Sequence, residues 1–208
     1  MDKEFSLIEI LTGIKSLKKG KASALDAISN DILHCAAKTG AVPVLQAIFN
    51  NLIKFQFFPT QWATGIIVPL HKSGGVDDPN NYRGITLNSC ISKLFTLLLN
   101  TRLTAMCEEK EIISYNQIGF RKGFRTSDYI FTLKTLIDDA FQKKKKLYAC
   151  FVDLKKANDT VWRKGLFYKL LTNGISTKFT ELLRSMYNYN YVSHCQMDLA
   201  YLLSPWLV

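Results

Sequence analysis

Three observations predict an α+β fold. Apolar side chains recur at three- and four-residue steps in several separate stretches, the period of a helix with one buried face. Two short runs rich in β-branched residues, 65–70 and 82–87, flank a turn made of Gly74, Gly75, Asp77, Asp78, Pro79 and Asn80, the arrangement of a hairpin. A third run, Leu147-Tyr148-Ala149-Cys150-Phe151-Val152, is short and apolar and lies between lysines 143–146 and Lys155-Lys156, so it predicts a buried strand with charged flanks.

Residues 15–21, with Lys15, Lys18, Lys19 and Lys21, predict an exposed basic loop. Ser29 or Asn30 can cap a short helix through Ile32, Leu33 and Ala36 that stops near Gly40. Leu45, Ile48, Phe49 and Leu52 mark a second helix, with Phe57-Phe58-Pro59 ending the pattern. In the hairpin, Pro69 lacks an N–H and confines the first strand to a sheet edge or the strand to its end. From Ser89 or Ser92 a long helix carries Ile91, Phe95, Leu98 and Met106 and closes in Glu108-Glu109-Lys110-Glu111. The stretch from Asn116 to Arg125 contains two glycines, two arginines and two phenylalanines and leads into a helix through Ile130, Leu133, Ile137 and Phe141. After the run at 147–152, Asp159 can cap a helix bearing Trp162, Leu166 and Leu170, with Gly174 as its stop.

With 208 residues, 48% hydrophobic and 21% charged, the chain has the composition of a globular protein of one or two domains. No apolar stretch approaches the roughly 20 residues that span a bilayer, and the start Met1-Asp2-Lys3-Glu4-Phe5 lacks the basic-then-apolar order of a secretory signal. These features predict an intracellular protein that does not engage a membrane. Cys35, Cys90, Cys107, Cys150 and Cys195 are odd in number, widely spaced and without a C-x-x-C pair, which predicts buried free thiols. A formal charge of +10 favours a polyanionic partner, nucleic acid first among them, although a lysine-rich surface also serves solubility alone.

Three groups of residues could carry chemistry. Asp153 is the first polar residue past the run at 147–152, where a carboxylate at a strand tip can hold a metal ion; a surface ion pair with a neighbouring lysine is the plainer alternative. Lys72, just past the first hairpin strand, and Arg83, at the start of the second, place two cations across one loop, which suits a triphosphate, or they are solvated loop charges. The glycine, arginine and aromatic mixture at 116–125 suits contact with a nucleic-acid backbone.

Three segments in this order resemble the reverse transcriptase of LINE-type (non-LTR) retrotransposons: Asn81-Tyr82-Arg83-Gly84-Ile85-Thr86-Leu87, then Asn116-Gln117-Ile118-Gly119-Phe120-Arg121, then Phe151-Val152-Asp153-Leu154-Lys155-Lys156-Ala157. The likeness extends to residues 21–28, to Pro59 and Trp62 before Ile67-Val68-Pro69-Leu70, and to Asp159-Thr160-Val161-Trp162-Arg163, covering the chain to about Cys195. Each motif alone is weak, and the ordered set is specific.

The resemblance implies a right-hand polymerase: a helical N-terminal extension (1–61), fingers (62–146) and a partial palm (147–208). It implies an RNA-directed DNA polymerase that uses two-metal nucleotidyl transfer, with Mg2+ as cofactor, an RNA template, a DNA primer and dNTP as partners, and a place in nucleus and cytoplasm. Asp153 would be the catalytic metal ligand and the carbonyl of Leu154 a further one. Lys72, Arg83, Gln117 and Asn158 would bind the nucleotide, and Gly119, Phe120, Arg121 and Arg125 the template and primer.

Departures of two kinds, motif elements that are missing and one residue that is changed, qualify what the resemblance implies. The family's second metal motif, aromatic-Ala-Asp-Asp, would follow beyond Val208, and neither Asp77-Asp78, Asp138-Asp139 nor Asp198 can replace it by order or geometry. The approach to Leu203-Ser204-Pro205 also lacks the family's glutamine-glycine pair. The chain alone is therefore expected to be inactive, and two other outcomes stand beside the polymerase: a non-catalytic module that holds RNA or single-stranded DNA through Arg121, Lys122, Arg125, lysines 143–146 and Arg163, or an unstable truncated product.

The second departure is Asn158, where the family carries a phenylalanine whose bulk excludes a ribose 2′-hydroxyl. A smaller amide leaves room for that hydroxyl and can hydrogen-bond to it, whereas a drifted copy would carry the same residue without consequence. In a complete enzyme, Asn158→Phe is expected to lower ribonucleotide incorporation relative to deoxynucleotide. Equal rNTP/dNTP ratios for the two versions would sink the idea.

Overall fold

The computed structural model describes residues 1–154 and 160–188. They fall into two compact units, one made of Met1–Thr104 and the described residues from Phe167 on, the other of Ala105–Leu166.

The first unit begins with α1 (Leu7–Ser16), set by a capping box: the Ser6 hydroxyl accepts from the Glu9 N–H at 3.2 Å, and the Glu9 carboxylate accepts from the Ser6 N–H at 2.8 Å. Ser29 caps α2 (Asn30–Thr39), which ends at Gly40 in the left-handed region, as the residues predict. α3 (Val42–Phe55) ends earlier than the apolar pattern suggests, at Gln56 with φ 53°, and a short α4 (Thr60–Ala63) follows. The hairpin is β1 (Ile66–His71) and β2 (Tyr82–Leu87), paired antiparallel from Ile66↔Leu87 to His71↔Tyr82, with Pro69 opposite Gly84. Both strands are edges, which is where a proline can sit. The long helix α5 (Cys90–Glu109) starts in this unit, and the end of α7 (Arg163–Thr172) and α8 (Thr177–Asn188) return to it.

An aromatic cluster fills the core. Phe5, Phe49 and Phe95 are fully buried, and Phe95 meets Phe5, Phe49, Phe58 and Trp62 with ring centroids 5.2 to 6.4 Å apart. Each such ring contributes roughly 1.5–3 kcal/mol on burial. α1 lies close on α5 because Gly13 has no side chain: a Cβ there would stand 2.9 Å from Leu94 Cδ1 and 3.0 Å from Leu98 Cδ2.

The N-terminal segment is fastened by Arg102 of α5. Its Nε donates to Glu9 Oε1 at 2.9 Å, its Nη2 to Glu9 Oε2 and the Glu4 carbonyl, and its Nη1 to the carbonyls of Met1 and Lys3. The guanidinium also lies 4.1 Å from the Phe5 ring centroid. Asn50 and Gln46 of α3 complete the hold through the Phe5 backbone, with Phe5 N–H to Asn50 Oδ1 at 2.6 Å and Gln46 Nε2 to the Phe5 carbonyl at 2.8 Å.

The second unit contains the end of α5, a loop, α6 (Thr126–Gln142), the segment that follows it and the start of α7. Here the structure departs from the residue pattern. Residues 147–152 are not a buried strand: they carry no strand pairing, and Tyr148, Phe151 and Val152 are each more than 80% exposed. A strand exists only through a partner's N–H and C=O groups, and the one sheet among the described residues is β1–β2. No residue of α6 is buried, so Ile130 and Phe141, at helical core spacing, stand exposed.

The cysteines also differ in part. The four described ones are free, but only Cys90 is buried, while Cys35 and Cys150 are exposed. Burial pushes the Cys90 and Cys107 thiols up from their ordinary value. Cys150 is uncovered for the same reason as its neighbours at 147–152. Asp159, the predicted cap of α7, Asn158 and Cys195 lie outside the described residues. No single described helix is long and apolar enough to cross a membrane; α2 and α3 reach that length only together and meet at a 113° bend.

Arg102→Ala should lower stability by about 2 kcal/mol, because Glu9 and three carbonyls lose a charged donor, and Arg102→Lys should restore little because lysine cannot form the fork. The Arg102 hydrogen bonds hold the Glu9 carboxyl below its ordinary 4.5, against an opposing effect of burial. A depressed carboxyl stabilises the fold fully above pH 4.5 and ceases to do so as pH falls through the folded value. Urea unfolding at pH 7 and at successively lower pH should show that decline in the parent and a smaller one in Arg102→Ala; parallel curves would refute the clamp.

Candidate functional site

In the first unit the hairpin positions two cations. Leu70 and Arg83 are cross-strand partners, so their side chains share a face, and Lys72 returns to that face two residues after Leu70. The Lys72 N–H donates to the Asn81 carbonyl at 2.8 Å, continuing the ladder past His71↔Tyr82. Lys72 and Arg83 are thus diagonal neighbours, at about 7–8 Å by strand geometry. Both are exposed, and neither forms an ion pair among the described residues. The opposite face carries the edge-to-face pair His71–Tyr82, with ring centroids 5.2 Å apart.

The turn between the strands is held by its own side chains. Asp78 accepts from the Asn80 N–H at 2.9 Å, Asn81 Nδ2 donates to the Gly75 carbonyl at 2.9 Å, and the Tyr82 hydroxyl donates to the Val76 carbonyl at 2.9 Å. Gly74 takes φ 91°, and a Cβ there would stand 2.5 Å from Asn81 Nδ2, so any side chain at this position is strained and displaces Asn81. A fixed turn keeps the two ammonium and guanidinium groups near each other, where their repulsion falls on binding an anion.

The second unit carries the other predicted residues. Asp153 and Leu154 follow the unpaired run, both exposed, with no ion pair to Asp153 among the described residues. A carboxylate and an adjacent carbonyl are hard oxygen donors of the kind magnesium takes. Among the described residues no group of three or more His, Cys, Asp or Glu side chains comes together. α6 and the segment after it form a mainly apolar groove of about 530 Å³, lined by Leu133, Ile137, Phe141, Leu147, Tyr148 and Phe151.

The loop before α6 is organised by Arg121. Its Nε and Nη2 form a fork on Glu108 at 2.9 and 2.6 Å, and its Nη1 donates to the carbonyls of Ser114 and Gln117 at 3.2 and 3.3 Å. The guanidinium also lies 5.2 Å from the Phe124 centroid. Each partner keeps the other charged: Glu108 is held below, and Arg121 above, its ordinary value, chiefly by their mutual hydrogen bond. Tyr129 of α6 adds a second tie, its hydroxyl donating to the Asn116 carbonyl and accepting from the Ile118 N–H.

On this loop Gln117, Gly119, Phe120, Lys122 and Arg125 are exposed, Phe120 completely. The Arg125 N–H donates to Asp128 Oδ2 at 2.7 Å, which starts α6 and leaves the Arg125 side chain outside. Nothing stands within 4 Å of a Cβ built on Gly119, so its surroundings are open to a ligand. The residue pattern gives no sign of Glu108 or Tyr129 as parts of this loop. Glu108 reads as one of several charges ending a scaffold helix, and its partner is 13 residues away.

Residues 70–202 match the family model described as reverse transcriptase (RNA-dependent DNA polymerase). The chain is 37% identical over 163 residues, 78% of its length, to a probable RNA-directed DNA polymerase from transposon BS of Drosophila melanogaster. It is 32% identical over 80% of its length to the corresponding protein of transposon X-element, and 28% identical over 79% to the RNA-directed DNA polymerase of mobile element jockey, both of the same species. It spans 18% of the length of each of these relatives. The ordered motifs and these matches agree, and the chain belongs to the reverse transcriptase (RNA-dependent DNA polymerase) family, in its LINE-type, non-LTR retrotransposon branch.

Proposed function

We propose that these residues are the nucleotide-facing part of an RNA-directed DNA polymerase, with 62–146 as fingers, 147–208 as the beginning of the palm and 1–61 as a helical extension. The observation that carries this is the pair Lys72 and Arg83, unpaired among the described residues and on one face of a fixed hairpin, in a chain of this family.

Lys72 and Arg83 hold the β- and γ-phosphates of an incoming dNTP and neutralise charge that builds on the leaving oxygens. Asp153 and the Leu154 carbonyl would hold Mg2+, with the exposed carboxylate as the stronger donor. Magnesium in such a site lowers the pKa of a primer 3′-hydroxyl and stabilises the oxygens of an in-line displacement. Gln117 and Asn158 meet the nucleotide, and Gly119, Phe120, Arg121 and Arg125 form the side of the site that takes template and primer. The remaining carboxylates of a two-metal centre come from an Ala-Asp-Asp turn outside these 208 residues, so the 208 residues alone do not extend a primer. The protein works within the cell, in cytoplasm and nucleus, where its RNA template and DNA target lie.

Primer extension on an RNA template tests this with a chain that continues through an Ala-Asp-Asp turn. Asp153→Ala should reduce the rate at least about a hundredfold, while Lys72→Ala and Arg83→Ala should raise KM for dNTP about ten- to hundredfold. Unchanged KM in both cation variants would end the triphosphate assignment. Sustained extension by the 208 residues alone would overturn the claim that a second carboxylate motif is needed.

Binding of single-stranded RNA separates contact from chemistry. Affinity of the 208-residue chain should fall linearly in log–log form with salt, with a slope of about −0.7 for each phosphate contacted, and should survive Asp153→Ala. Failure to bind at low salt would remove the template side of the proposal.

A further inference from the structure

We propose that the loop leading into α6 is a base-stacking platform for single-stranded nucleic acid, with Phe120 as the stacking ring and the Glu108–Arg121 ion pair as the clamp that positions it. The inference rests on the polymerase assignment above. It gives Phe120 one ligand, the π face of an unpaired base, and gives Glu108 a part in holding it.

Phe120 is costly in two ways that its own contacts do not offset. Its φ of 61° places an aromatic residue in the left-handed region, and its side chain is wholly exposed at 108%. A ring in that state gains nothing from burial, so other residues must fix it. They are adjacent: four of the five N–H groups of Arg121 are engaged, two on Glu108 and two on the carbonyls of Ser114 and Gln117. The Tyr129 hydroxyl closes the other side of the turn on Asn116 and Ile118. The polar groups of this loop therefore hold a hydrophobic ring outward.

The surroundings of the ring identify the ligand. Lys122 and Arg125 are exposed on the same loop, Tyr115 is 83% exposed, and the chain as a whole carries +10. Exposed rings among cations match single-stranded nucleic acid, in which every base has a π face and the phosphates run alongside. The centre of a protein-docking patch is instead depleted of charge. Glu108 carries the wrong sign to meet a phosphate, and its carboxylate is occupied by Arg121, so it acts through that residue as a positioning group.

The test uses the 208-residue chain and an oligoribonucleotide carrying 2-aminopurine, with affinity read by anisotropy and stacking read by fluorescence quenching. Phe120→Leu, at a site with no packing to disturb, should weaken binding about tenfold and abolish the quench, and Phe120→Tyr should preserve both. Glu108→Gln should weaken binding about threefold and reduce the quench. Because both changes act through one contact, Glu108→Gln with Phe120→Leu should be no weaker than Phe120→Leu alone. Circular dichroism checks that each variant keeps its helices.

Absence of salt-dependent binding by the parent chain would overturn both the polymerase assignment's template side and this proposal. Binding by the parent with affinity and quench unchanged in Phe120→Leu would overturn the platform alone. The clamp is overturned if the double variant shows the product of the two single losses. A Phe120→Leu variant that keeps RNA affinity but loses association with another polypeptide would assign the ring to a protein contact, against the proposal.

Discussion

The first unit depends on one guanidinium. All five N–H groups of Arg102 are engaged, on both oxygens of Glu9 and on the carbonyls of Met1, Lys3 and Glu4, and its face lies on Phe5. These bonds satisfy carbonyls at the very start of the chain, where backbone is ordinarily loose, and so deliver Phe5 into the ring cluster against Phe49 and Phe95. The capping box of α1 depends on the same Glu9, so one carboxylate both starts a helix and seats the arginine that fastens what precedes it. This polar clasp, with Asn50 and Gln46 on the Phe5 backbone, brings the first ring to an aromatic core that Phe49, Phe58, Trp62 and Phe95 complete.

Arg121 repeats the device in the second unit, where a fork on Glu108 and two carbonyl bonds fix a loop. Arginine suits both positions because its planar fork meets a carboxylate in two places and still has donors for backbone carbonyls, which an ammonium cannot do. Lys72 and Arg83 on the hairpin and Lys122 on the loop are of another sort, exposed and outside every ion pair among the described residues. A charge saturated by its own chain builds structure, and a charge without a partner attracts one from solution. On that division Arg121 shapes the loop that the proposed function gives to the template, and Arg125, whose backbone starts α6, still has its side chain to offer.

How far the sequence could be read follows the distance between interacting residues. Ser29 and Gly40 bracket α2, and the turn from Gly74 to Asn80 returns β2 on β1, because caps and hairpins are settled within a few residues. α1 was equally open to reading, through Ser6, Glu9 and the spacing of Ile10 and Ile14, but the lysines at 15–21 draw attention to a loop instead. Arg102 with Glu9, 93 residues apart, and Arg121 with Glu108 leave no local pattern, since nothing in either segment names its partner. Asp153, at the end of an apolar run, and Lys72 and Arg83, flanking one hairpin turn, were legible as candidates from their places in the sequence, and the family's motifs then gave them roles. The run at 147–152 shows the opposite error: its composition suits a strand, but composition supplies no pairing partner.

That error bears on how the two halves of the proposed site differ. The face bearing Lys72 and Arg83 is made by residues 66–87, contiguous in sequence and closed by their own turn, so it forms from local contacts. A carboxylate centre is non-local by nature: on the proposed reading, Asp153 would become one ligand of several only when the run before it is aligned against strands that carry further acids. Until then the run stays uncovered, as Tyr148, Phe151 and Val152 are here, and Asp153 remains a single exposed charge. In the proposed site, burying that apolar run and assembling the metal ligands would therefore be the same structural event, whereas the cation pair on the hairpin forms without it.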